Sequence, residues 1–132
     1  MFTKMIAAAA VAGGIALLAA PQPASAEAGT TSLTLPAGSR VCRDASAPAY
    51  YKARGEGLAN PGVKFTFLVR PSSSTVFTQL AESGSNFTTA FAAEADRTWT
   101  PWAFPGYFRV CARNLGTSAS QVQLTLRTDS SY

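Results

Sequence analysis

The chain has 132 residues, 11 basic and 7 acidic, a formal charge of +4 and no histidine. That length holds one domain-sized core but not two. The missing imidazole excludes a Ser-His-Asp triad, a Cys-His pair and a histidine-ligated zinc site.

Residues 1–26 have the three parts of a secretory signal peptide. Lys4 supplies the positive start, an alanine-rich apolar run extends from Ile6 to Ala20, and Ala24-Ser25-Ala26 forms a small-residue cleavage site after Pro21 and Pro23. The run is too short and too weakly flanked for a retained membrane span. The expectation is a secreted protein, extracellular or periplasmic, with a mature domain over residues 27–132. Loss of Lys4 leaves ten basic and seven acidic residues, or +3. The basic residues stand singly along the chain, which gives no nucleic-acid stripe and a weak bias towards anionic partners.

From Thr31 onward, short alternating segments separated by Gly, Pro, Ser and Asn predict strands. Weak ones fall at Ser32 to Leu35, Arg40 to Arg43 and Tyr50 to Arg54. A clear one follows Pro61-Gly62: Val63, Phe65, Phe67 and Val69 share one face, with Lys64, Thr66 and Arg70 opposite. Pro71-Ser72-Ser73-Ser74 stops it, and a further weak strand covers Thr75 to Leu80. Residues 86–98 are ambiguous. Phe87, Thr89, Phe91, Ala93 and Ala95 alternate as in a strand, while the alanines and the i,i+4 phenylalanines suit a helix; strand neighbours on both sides favour strand. Next, Phe108, Val110 and Ala112 face one way, and Tyr107, Arg109, Cys111 and Arg113 the other. Finally, Val122, Leu124 and Leu126 alternate with Gln121, Gln123, Thr125 and Arg127. Seven or eight such strands predict a small antiparallel β-sandwich.

Cys42 and Cys111, an even count in an exported chain, should form a disulfide. The long loop they close gives roughly 4 kcal/mol in the chain-entropy account. Both sit in Arg-Val-Cys triplets, and residues two apart on a strand share a face. Arg40 therefore accompanies Cys42, and Arg109 and Arg113 accompany Cys111. With Val41, Phe108 and Val110 directed into the core, the disulfide lies on an outer, arginine-bearing face and staples neighbouring strands of one sheet.

The remaining chemistry is sparse. Glu94 and Asp96 would share a strand face about 7 Å apart, within the range of paired carboxylates in glycosidases. Two acidic residues on one strand more commonly mark a solvated face, so no enzyme is expected. No phosphate-binding loop, dinucleotide fingerprint or EF-hand loop occurs, and no cofactor or metal is expected. Asn86-Phe87-Thr88 fits the glycosylation acceptor pattern, an incidental match in a chain whose leader has a bacterial character.

The most unusual segment runs from Trp99 to Tyr107. Trp99, Trp102, Phe104 and Tyr107 bring four aromatic rings into nine residues stiffened by Pro101 and Pro105. Aromatic side chains on a stiff loop suit ligand contact, including stacking on sugar rings. Such a loop equally suits a plug closing the open end of a sandwich. Together these features suggest a binding domain whose partner is an extracellular polysaccharide or cell-wall polymer. The alternative is a protein-binding module or an inhibitor of an exported enzyme, and behind both stands a small carboxylate-based hydrolase using Glu94 and Asp96.

Overall fold

The computed structural model describes residues 27–48, 52–84, 88–96 and 105–129. Its seven strands are β1 (Ala28–Leu35), β2 (Arg40–Ala47), β3 (Lys52–Pro71), β4 (Thr78–Glu82), β5 (Thr88–Asp96), β6 (Gly106–Asn114) and β7 (Ser120–Arg127). All pairings are antiparallel. The pairing order is β1-β7-β3-β6-β2, with β4 and β5 also on β3.

β3 organises the molecule. It is 20 residues long, where the sequence predicts two strands separated by Pro61-Gly62. The chain bends there without a break, because Gly62 takes φ 107°, a conformation that side-chain-bearing residues rarely adopt. Before the bend, β3 pairs with β5 and β7. After it, β3 pairs with β4 and β6. One continuous sheet thereby curls into two layers: layer I contains β1, β7, the first half of β3 and β5, and layer II contains β2, β6, the second half of β3 and β4. Gly38, at φ 78°, lets the tight turn Pro36-Ala37-Gly38-Ser39 carry the chain from β1 in one layer to β2 in the other.

The core lies between the layers and follows the period-2 pattern. Val63, Phe65, Phe67 and Val69 from β3, Phe108, Val110 and Ala112 from β6, and Val122, Leu124 and Leu126 from β7 are all buried. The ring of Phe67 stacks on Phe108 with centroids 5.3 Å apart, and that of Phe65 on Phe91 at 5.7 Å. Antiparallel pairing with β3 makes the described part of the ambiguous segment, Thr88–Asp96, a strand. Its alternating face carries Phe91 and Ala93, partly buried against the core, and Ala95, which is buried.

β3 also packs against itself across the layers. A Cβ at Gly57 would lie 2.3 Å from the Phe65 ring, and one at Gly55 would lie 2.7 Å from Phe67. The two glycines leave the space that the phenylalanines fill. Around one end, buried Asn114 donates to the carbonyls of Leu35 and Ser118 at 3.0 and 2.9 Å and accepts from Gly116 N–H, so the β6–β7 turn is tied to the end of β1.

Candidate functional site

The disulfide forms as the strand pattern predicts, between directly opposed residues of β2 and β6 in one layer. The Cα atoms are 4.1 Å apart. That is tighter than the usual range of about 4.4–6.8 Å and close to the roughly 4.5 Å of a narrow antiparallel pair. It lies on the outer face of layer II, where Arg40 Nη2 donates to Cys111 Sγ at 3.3 Å.

That outer face is a grid of four rows set by strand register. Arg40, Arg113 and Lys64 form the first row. Cys42, Cys111, Thr66 and Glu82 form the second, then Asp44, Arg109, Leu68 and Gln79. Ser46, Tyr107 and Arg70 complete it. The grid positions themselves hold five cations and two carboxylates, and a third carboxylate, that of Glu27, accepts from the N–H and Oγ of Ser46 at the edge of the face. The sequence shows basic residues standing singly; pairing of three strands gathers them.

The two ends of this face differ. At the Tyr107 end the cations are engaged. Arg109 donates from Nε and Nη2 to both oxygens of Asp44, at 2.6 and 2.8 Å, and this hydrogen bonding holds its guanidinium above the ordinary arginine value. The Arg109 guanidinium also lies 4.0 Å from the Phe77 ring centroid. Arg70 sits 4.4 Å from the Tyr107 ring and 5.3 Å from Phe77, and donates to Ser74 O at 2.6 Å. The result is a half-exposed surface of alternating guanidinium and aromatic groups, each contact a cation–π pair. Pro105 is held at this end by Ser72, whose N–H and Oγ both donate to its carbonyl.

At the Arg113 end lies a shallow depression of about 250 Å³. Arg40, Lys64 and Arg113 line it at one end, and Cys111, Thr66, Leu68 and Gln79 line the rest. Lys64 is paired with Glu82 at 3.1 Å.

Of the residues singled out from sequence, Cys42, Cys111 and Tyr107 fall on this face, while Trp99, Trp102 and Phe104 lie outside the described residues. So do Asn86 and Phe87. Glu94 is exposed on layer I and forms an ion pair with Arg54, which also pairs with Glu56. Those partners, Glu56 foremost, hold Arg54 above its ordinary value. Among the described residues, no three His, Cys, Asp or Glu side chains gather as metal ligands. Layer I carries a larger groove, about 560 Å³, lined by neutral polar side chains including Ser32, Asn60, Gln121 and Gln123, with Leu58 exposed beside them.

Spacing from the two cysteines is enough to put Arg40, Arg109 and Arg113 on the disulfide face, but it says nothing of Lys64, Arg70 and Phe77. Strand parity separates Lys64 and Arg70 from the core, yet only the β3–β6 register brings them beside the arginines. Phe77 reaches the face from the β3–β4 connection and has no periodic signal.

No protein-family model and no curated protein matches the chain. Solved structures do. The Yersinia pseudotuberculosis-derived mitogen matches with a TM-score of 0.54 and 8% identity, over 82% of this chain and 91% of that one. The pre-peptidase C-terminal domain of a Bacillus anthracis collagenase matches with a TM-score of 0.52 and 14% identity, over 74% and 87%. The likeness is one of fold: a small all-β domain of this architecture recurs in proteins with little sequence in common.

Proposed function

We propose that this chain is a secreted, non-catalytic binding domain that holds an extracellular polysaccharide or cell-wall polymer on the outer face of layer II. The observation that carries this reading is the guanidinium–aromatic surface of Tyr107, Arg70, Phe77 and Arg109, in which strands carry Tyr107, Arg70 and Arg109 and the β3–β4 connection brings Phe77 over the two guanidinium groups. Planar groups of this kind suit sugar rings, which present an apolar face and a rim of hydroxyls. Trp99, Trp102 and Phe104, which precede Tyr107 in sequence, lie outside the described residues and enter the reading on their aromatic chemistry alone. The disulfide supports an oxidising location. Among the described residues no helix is long and apolar enough to cross a membrane. The engagement of Glu94 by Arg54 on an open sheet supports a structural role for that carboxylate over a catalytic one. A second reading, protein docking, is favoured by Leu58, 53% exposed beside the layer I groove.

The test is binding of purified protein to an array of extracellular glycans, repeated with Trp99→Ala and Trp102→Ala. Truncating an exposed aromatic anchor typically costs about 2 kcal/mol or more of binding, with little effect on folding. At least one variant should therefore lose affinity while keeping its melting temperature. If both instead lower stability by the ~3–5 kcal/mol of a core truncation, the segment is a structural plug and its sugar-stacking role is lost.

A further inference from the structure

Arg40, Arg113 and Lys64 occupy one lateral row across three adjacent strands, each opposite the next. Neighbouring strands stand about 4.8 Å apart, so three positive charges span roughly 10 Å. Like charges placed directly opposite on a sheet destabilise it. Glu82 relieves only the Lys64 end. Arg40 reaches a disulfide sulfur, a weak acceptor. Arg113 is exposed, between the other two cations. A fold that needed only a soluble surface would gain nothing from this arrangement. Its cost is offset when an anion enters the depression that the three side chains help to line.

We infer that this depression is an anion subsite, and that the polymer bound by layer II carries carboxylate or phosphate groups. This rests on the polysaccharide-binding reading and narrows its ligand class. The geometry fits the inference: Arg113 and Tyr107 are six residues apart on β6, or about 20 Å. An extended chain can therefore place an acidic group on the basic row while its rings lie on the guanidinium–aromatic end. Arginine suits the role because its planar fork donates two parallel hydrogen bonds to a carboxylate or phosphate. The larger groove of layer I offers no such charge, since its lining is neutral.

The experiment compares retention of the purified protein on four immobilised polymers: polygalacturonate, poly(glycerol phosphate), neutral dextran and single-stranded DNA. Wild type, Arg113→Gln, Arg113→Glu and Trp102→Ala are measured at low and high salt, with melting temperatures alongside. Wild type should bind polygalacturonate or poly(glycerol phosphate) over dextran, and which of the two is held more tightly identifies the acidic group. Arg113→Glu should weaken that binding by about tenfold or more, the scale of one lost charge-assisted hydrogen bond. Arg113→Gln should also weaken it while raising the melting temperature, because relief of like-charge repulsion separates a ligand-binding role from a structural one. Salt should reduce wild-type binding more than that of Arg113→Gln. Binding that is equal on dextran, or indifferent to Arg113→Glu, overturns the anion subsite; its loss in Trp102→Ala alone would leave the polysaccharide reading standing. Preference for DNA overturns the ligand class, and retention on no polymer overturns both.

Discussion

Arg43 is the residue whose position runs most against its chemistry. It lies on the core-facing side of β2 between Val41 and Ala45, opposite buried Val110. The side chain crosses to the other layer, where Nη1 donates to Thr31 Oγ1 at 2.7 Å. Gly29 makes room for it: a Cβ there would sit 1.8 Å from Arg43 Nη2. The guanidinium thus closes the gap between edge strands β1 and β2 with its stem as apolar filler. Its Nε is buried without a hydrogen-bond partner among the described residues. An unmet buried donor costs roughly 1–3 kcal/mol, so Arg43→Met, which keeps the stem and removes the donors, should hold or raise the melting temperature. Arg43→Ala, which empties the gap, should lower it. A fall in both, seen by thermal unfolding, would show that the Thr31 contact outweighs the unpaired nitrogen.

At the level of the element, β3 couples the two layers because one strand belongs to both. Its glycines matter for close approach more than for flexibility. Phe65 and Phe67 in the second half rest on Gly57 and Gly55 in the first. A methyl group at Gly57 must displace a buried aromatic ring that is itself stacked on Phe91. Overpacking of this kind costs about 1–3 kcal/mol, so Gly57→Ala should destabilise the domain by that amount in denaturant titration. Gly84, with open space around its Cβ position, is the control; Gly84→Ala should change stability little. The continuous β3 also explains why a breaker-rich sequence, Asn60-Pro61-Gly62, bends the strand without ending it. Proline at this corner removes one donor, and Gly62 supplies the positive φ that turns the chain into the other layer.

For the whole molecule, the consequence of the fold is a division of charge. Layer I sets Arg54 between Glu56 and Glu94. The strand positions on the outer face of layer II gather five cations against two carboxylates. Net charge alone therefore does not describe how this domain meets a polyanion. Arg127→Gln, in the layer I strand β7, and Arg113→Gln remove the same charge from the molecule. Only Arg113→Gln should weaken retention on an acidic polymer, because exposed charges farther apart than about 8–10 Å are largely screened at physiological salt. Equal losses in the two variants would mean that binding follows overall charge rather than a located face.

The class of fold, the faces of the strongest strands and the partners in the disulfide are all legible along the chain. Each of these is local: alternation reports which side of a strand is buried, and Val63 to Val69, Phe108 to Ala112 and Val122 to Leu126 all point inward as their period-2 pattern requires. The same parity placed Cys42 and Cys111 on an outer face with arginines. Tertiary structure alone decided which strands become neighbours. Register between β2, β6 and β3 turned separated basic residues into a row, and a loop from elsewhere brought Phe77 over Arg109. Strand pairing is a long-range choice fixed by how all the apolar faces can be buried at once, and no window along the chain contains it.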